Sequence, residues 1–256
     1  MRESELIVTR ADRVVQVVFN RPHRHNAFTR GMYTELRDLC DELNGDNSVR
    51  ALVLKGAGGR AFAAGNEISD FLEADAVAYE GFIRGLLVKL FELPQVTVAA
   101  VDGVCVGGGL AVATHCDLRI ATAHSRFGYP IAKTLGNALA APIVHRCAAV
   151  FGESITRQML LTGRLVGAEQ AYAVGALLNV EDDLDVAIAQ TLRDVLGASG
   201  TTQRATKRQL NARALEQEAA PEFDEALMRE VYTGDDFREG VRAFIAKEKP
   251  DFKALS

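Results

Sequence analysis

The sequence lacks most of the features that mark common functional classes. Its four cysteines, Cys40, Cys105, Cys116 and Cys147, include no CxxC pair and stand in apolar or helical contexts. They read as buried free thiols, which argues against a zinc site or a disulfide framework. There is no long basic run, and the formal net charge is −5, so nucleic acid is a poor partner. The most apolar stretch, 96–106, is too short to span a bilayer and runs into glycines. Residues 1–5 show neither an apolar h-region nor a cleavage pattern, so no secretory signal is read there; a cytoplasmic protein with no membrane partner is expected. The triplet Gly107-Gly108-Gly109 fits neither G-x-G-x-x-G nor G-x-x-x-x-G-K-[ST], which leaves dinucleotide and nucleoside triphosphate sites without support. What remains, 256 residues at 48% hydrophobic and 25% charged, is ordinary for an α/β protein with a core of useful size.

Periodicity places the elements. Segments 6–9 and 14–19 read as a strand hairpin leading into Asn20-Arg21-Pro22. Thr29 is an N-cap candidate for an amphipathic helix carrying Met32, Leu36, Leu39 and Leu43, which ends near Asn44-Gly45. A short strand is expected at 49–54, a loop rich in glycine and alanine at 56–65, and a second helix at 75–93, stopped by Pro94. Segment 96–101 is apolar at nearly every position, as a strand covered on both faces would be. After the glycine triplet come a short apolar helix and a strand at 118–121. Such alternation predicts βαβ units. From about Gly152 helices dominate, over 153–161, 168–174, 185–196, 201–215, 221–231 and 235–246. The expected organisation is a core over 1–195 and a helical C-terminal region over 196–256.

Two loops carry the chemical signal: Ala61-Phe62-Ala63-Ala64-Gly65-Asn66-Glu67, and Asp102-Gly103-Val104-Cys105-Val106 running into the glycine triplet. Small residues let a ligand lie against the backbone. A helix starting at the glycines would aim free N–H groups and the positive end of its dipole the same way. Such a site favours a developing negative charge, for example on an enolate oxygen. The same glycines would also permit tight strand–helix packing, and the pattern alone does not choose.

The order of these motifs adds a resemblance. Asn20-Arg21-Pro22 with Asn26-Ala27, Ala51-Leu52-Val53-Leu54 with the first loop, and Ala100-Val101-Asp102-Gly103 with the triplet come first. Cys116-Asp117-Leu118-Arg119-Ile120-Ala121, Phe127-Gly128-Tyr129-Pro130 and Leu161-Thr162-Gly163-Arg164 follow. Together they resemble the enoyl-CoA hydratase/isomerase (crotonase) family over nearly the whole chain, although each motif alone is weak. The resemblance implies an α/β fold: a spiral of ββα units with a helical C-terminal trimerisation region. It implies a homotrimer or hexamer. It implies an acyl-CoA thioester as ligand, coenzyme A being part of the substrate, with no separate cofactor and no metal. It assigns an oxyanion hole to the N–H groups of Asn66 and Gly108. It lays the coenzyme along Arg24, Ala27, Ala64 and Ile68, with Lys249, Phe252 and Lys253 toward the nucleotide end.

The resemblance breaks where proton transfer belongs. Hydratases of the family carry two glutamates whose positions here hold Ala111 and Ile131. The carboxylate of related isomerases and dehalogenases would fall within Leu135-Gly136-Asn137-Ala138, again without an acid. General acid–base catalysis needs a titratable group within hydrogen-bond reach. Glu67, Asp70, Tyr129, Lys133 and Asn137 remain near the site. Asn137 is assigned a substrate contact, with helix capping as its plain alternative. Lys133 is assigned a substrate carboxylate, with an ordinary surface lysine as its alternative. His25 is placed near the nucleotide, and His115, beside Cys116 and Asp117, reads as a packed, hydrogen-bonded histidine rather than part of a nucleophile set. Three readings stay open: an enolate-stabilising acyl-CoA enzyme, a decarboxylase or thioesterase on the same scaffold, and a binding protein that has lost catalysis. Poor hydration of simple 2-enoyl-CoA substrates is expected.

Overall fold

The computed structural model describes residues 4–67, 76–215 and 221–252. Ile68, Asp70 and Lys253 lie outside them. β1 (Leu6–Ala11) and β2 (Val14–Phe19) form the expected antiparallel hairpin, turned by Asp12 and Arg13 at φ 48° and 68°. α1 (Arg30–Asn44) starts where predicted, the Thr29 hydroxyl accepting the Met32 N–H at 3.1 Å. Its buried stripe is Met32, Tyr33, Leu36, Leu39, Cys40 and Leu43.

Three strand pairs follow. β3 (Ala51–Gly56) leads to β4 (Ala61–Ala64), β5 (Val96–Val101) to β6 (Val104–Val106), and β7 (Leu118–Ala121) to β8 (Arg126–Gly128). The first strand of each pair joins a six-stranded sheet, and the second joins a four-stranded sheet. Between pairs the chain returns through α2 (Ala76–Glu92) and then α3 (Gly108–His115). β3, β5 and β7 pair in parallel, and so do β4, β6 and β8. Each ββα turn is therefore hydrogen-bonded to the one before it along both sheets, which is the expected spiral. Two of its strands, β4 and β6, lie in segments read from sequence as loop. The small sheet is what brings the ends of those segments side by side.

The rest is mostly helical: α4 (Ala141–Phe151), α5 (Glu153–Thr162), α6 (Ala168–Ala173), α7 (Leu184–Gly197), α8 (Gly200–Leu215), α9 (Pro221–Thr233) and α10 (Asp235–Ala246), with the short strands β9 (Val166–Gly167) and β10 (Asn179–Val180) between. The C-terminal helices share the main core rather than building their own. Met228 and Tyr232 of α9 belong to the same apolar cluster as α1 and α2. Lys207 of α8 donates to the Gln95 carbonyl at 2.9 Å and to the Asp117 carboxylate at 2.6 Å. Asp117 also accepts the Thr97 N–H and hydroxyl, so this buried cation is matched by a hydrogen-bonded anion. All four cysteines are free and buried. Burial pushes Cys40 and Cys116 up to about 12, which keeps both thiols neutral and unreactive. No described helix is long and apolar enough to cross a membrane.

Candidate active site

A cavity of about 850 Å³ is enclosed by segment 23–27, the end of β4, the start of α3, segment 130–139 and the end of α10. Its first wall is set by one asparagine. Asn26 is fully buried; its Oδ1 accepts the Arg21 N–H at 2.9 Å, and its Nδ2 donates to the carbonyls of Ala57 and Ala61 at 2.9 and 2.7 Å. These bonds tie segment 21–27 to β4 and explain the Asn-Ala motif as architecture. Arg24, Ala27 and Ala64 all reach the cavity, together with His23 and His25.

Asn66 lies just past β4, opposite Phe28 in a single parallel bridge. The bridge bonds run from the Phe28 N–H to the Gly65 carbonyl, 2.9 Å, and from the Glu67 N–H to the Phe28 carbonyl, 2.7 Å. In parallel pairing the residue between those two groups turns its own N–H away from the partner strand. Gly108 opens α3, and a first helical residue has no intrahelical acceptor for its N–H. The two loops touch: a Cβ on Gly65 would lie 4.0 Å from the Gly108 nitrogen, and one on Gly107 would lie 3.2 Å from Gly65 Cα. Gly107, at φ 56° and ψ −126°, holds a backbone conformation that L side chains avoid. At Gly108 any side chain would collide with Asn66 Oδ1 and the Tyr33 hydroxyl. That hydroxyl donates to Asn66 Oδ1 at 2.6 Å. Burial, with Tyr79 and Glu80 close by, raises Tyr33 well above the ordinary phenol range, so it stays a donor. An anionic oxygen set between the Asn66 and Gly108 N–H groups, at a helix N-terminus, would be stabilised.

Glu67 also lines the cavity but is committed elsewhere. It pairs with Arg24 at 2.8 Å and Arg21 at 3.1 Å. Burial works upward on its carboxyl, yet the hydrogen bonds and charges of Arg24 and Arg21 outweigh it and hold the group below its ordinary value. His115 is buried with Nδ1 2.7 Å from the Ala111 carbonyl. A carbonyl only accepts, so Nδ1 carries the proton, and burial lowers the ring to about 4. It is a neutral structural histidine, as its sequence context suggested.

Part of the lining is apolar: Ile83, Ala111, Ile131, Leu135, Leu139 and Ile143. Ala111 and Ile131 thus reach the place where the resemblance puts glutamates. Asn137 lines the cavity as well. Lys133 does not; it is exposed, with its methylenes laid across Gly163. Tyr129 is packed into the core rather than the cavity wall, because it follows β8 on the side facing α4 and Phe127. Phe252 is half-buried and stands away from the lining.

Sequence reasoning missed one acid. Glu80 of α2 is 7% exposed and lines the cavity. Its carboxylate accepts the Tyr232 hydroxyl at 2.7 Å, and the Tyr232 oxygen lies 3.4 Å from Asn137 Nδ2. Asn137 Oδ1 is buried without a hydrogen-bond partner among the described residues. Glu80, Ile83 and Leu87 stand at i, i+3 and i+7, so the acid sits on the apolar stripe of its helix; that spacing was the available signal.

The profile described as "Enoyl-CoA hydratase/isomerase" matches residues 9–254. A "Putative enoyl-CoA hydratase" of Thermus thermophilus is 38% identical, over 93% of this chain and 97% of its own. The "2,3-dehydroadipyl-CoA hydratase" of Escherichia coli is 32% identical, over 98% of this chain and 99% of its own. A solved methylmalonyl-CoA decarboxylase in complex with 2-nitronate-propionyl-CoA superposes with a TM-score of 0.88 over 98% of this chain and 99% of its own; at 23% identity the likeness is one of fold.

Proposed function

This chain belongs to the enoyl-CoA hydratase/isomerase family, and from that premise we propose that it binds an acyl-CoA thioester and stabilises the derived enolate between the N–H groups of Asn66 and Gly108. The carrying observation is the contact of the two loops, with Gly108 at the start of a helix and Asn66 turned out of its bridge to Phe28. Backbone donors fixed in place before reaction are the efficient way to hold a charge that develops only in the transition state. Arg24, Ala27, Ala64 and Ile68 then take the coenzyme, with Lys249, Phe252 and Lys253 assigned to its nucleotide end. The acyl group enters the apolar end beside Asn137.

Within the family the reaction is enolate chemistry other than ordinary hydration, because a methyl group and a branched alkyl group at 111 and 131 cannot hold water or carry a proton. Decarboxylation ranks below proton transfer. Lys133, the cation expected to meet a substrate carboxylate, faces outward, and the acid of the acyl end, Glu80, would repel one. A homotrimer or a dimer of trimers fits the exposed Leu161, Tyr172, Val174 and Leu178, and a monomer in sedimentation at micromolar concentration would exclude both.

Titration calorimetry tests the ligand. Butyryl-CoA should bind more tightly than S-butyryl-pantetheine, since the nucleotide end adds contacts. Equal affinity, or no binding of either, would overturn the assignment.

A further inference from the structure

We propose that Glu80 is the proton-carrying residue of this site and that Tyr232 is its positioning residue, an inference that rests on the acyl-CoA reading above.

Among the described residues, three acids line the cavity: Glu67, Glu80 and Glu248. Glu67 is held by two arginines, and Glu248 is an exposed residue at the end of α10, 2.9 Å from Arg242. Glu80 is buried and accepts a hydrogen bond from the Tyr232 hydroxyl. Its charge acts on Tyr33, which holds Asn66, and on Tyr232, which meets Asn137. Burial and the neighbouring Glu80 keep Tyr232 protonated.

The proton directions fix the rest. Tyr232 has one proton, and a carboxylate oxygen accepts it. The Tyr232 oxygen therefore accepts from Asn137 Nδ2, which turns Asn137 Oδ1 to the other side, where it is buried and unpaired. Buried acceptors are rarely left so. The line of bonds thus presents a carboxylate at one end and an unpaired amide oxygen at the other, both on the cavity, and an occupant of the cavity completes it.

The chemistry needs no co-reactant. The Glu80 carboxylate takes a proton from the α-carbon of the bound acyl group. The C–H pair becomes the enolate double bond, and the carbonyl pair moves onto the oxygen facing Asn66 and Gly108. The proton on Glu80 then returns to the α-carbon. In a 3-enoyl chain it returns to the γ-carbon instead, which gives the 2-enoyl isomer. Glu80 is regenerated in either case. One carboxylate suffices for such a shift, which suits a cavity with alkyl groups at 111 and 131.

Exchange of the α-protons of butyryl-CoA in D₂O, read by mass spectrometry on the full chain, isolates this step from any net reaction. Binding of the same thioester is titrated in parallel. The wild type should bind and exchange. Glu80→Gln should bind within a few-fold and lose exchange by ~10²–10⁴-fold. Among the described residues, the titratable and polar groups near Glu80 include Tyr33 from α1, Tyr79 and Arg84 from its own helix, Tyr232 from α9 and Asn137. Tyr232→Phe removes a donor to the carboxylate, so the acidic limb of the rate–pH profile should move to higher pH; a tyrosine that only packs would lower the profile without moving it, and that result would overturn its assignment. Exchange at the wild-type rate in Glu80→Gln, or a wild type that binds without exchanging, would overturn the role of Glu80 and leave the acyl-CoA reading intact. Absence of binding would overturn both. If Glu80→Gln does not fold, Glu80→Asp decides: a carboxylate withdrawn by one methylene should slow exchange at unchanged affinity, and an unchanged rate would overturn the assignment.

Discussion

The two ends of the cavity are made of different material. The end proposed for the thioester is backbone: the Asn66 and Gly108 N–H groups, set by a bridge to Phe28, a helix start and glycines that admit no side chain. The acyl end is side chain: Ala111, Ile131, Leu139, Ile143, Asn137 and Glu80. A substitution at the first end moves the chain itself, whereas one at the second changes only the surface that meets the substrate. On the proposed reading, family membership is written at one end and the particular reaction at the other.

The largest expected effect lies at the acyl end. This chain should hydrate crotonyl-CoA ~10²–10⁴-fold more slowly than a relative carrying both glutamates. Loss of the enoyl absorbance measures it, and Ala111→Glu combined with Ile131→Glu should recover part of the deficit. A hydration rate equal to the relative's would mean that these two side chains do not set the reaction, and the contrast between the ends would collapse.

At the thioester end, Gly108→Pro removes one N–H at a position where a helix tolerates proline. Its ring also displaces the Asn66 side chain. Loss of one such donor costs about 3 kcal/mol in the transition state, roughly a hundredfold or more in α-proton exchange. A folded variant, checked by circular dichroism, that exchanged at the wild-type rate would reduce the glycines to a packing role.

The smallest effect tests the support of the thioester end. Glu67 has a depressed folded pKa despite burial, because Arg24 and Arg21 favour the carboxylate. Stability from such a group is present above the unfolded value, about 4.3, and is lost as pH falls through the folded value. Glu67→Gln should therefore lower the unfolding free energy by about 1 kcal/mol at neutral pH. The gap to wild type should close in acid. Urea titrations at pH 7 and pH 3 would show this, and a gap that persisted at pH 3 would remove the ion pairs as its cause.

The sequence made the long elements legible. Thr29 announced α1, the unbroken apolar run announced β5, and the glycine triplet announced the start of α3. The small sheet stayed hidden because β4, β6 and β8 have three or four residues each, too few to show a period of two. α4 was missed because it opens at Ala140-Ala141-Pro142 with no capping side chain. At the site, Asn66, Gly108, Arg24, Ala27, Ala64, Ala111, Ile131 and Asn137 come to one cavity. Lys133 and Tyr129 do not, because their neighbourhood in sequence says nothing about which way a turn aims each side chain. Glu80 was invisible for a different reason. A glutamate on a helix is by default a solvated charge. Its meaning depends on a tyrosine 152 residues away.

With its amide spent on three backbone groups, Asn26 leaves the 21–27 wall little freedom to swing. Motion that admits a ligand is then expected elsewhere on the lining, at the end of α10, where Phe244 and Ile245 are more than half exposed. The last helix becomes the door and the asparagine the hinge post that stays still. If departure of product limits the turnover rate, substitutions in α10 will change it, and the door will be heard in hydrogen exchange as fast amides at 244–248 beside protected ones at 26–28.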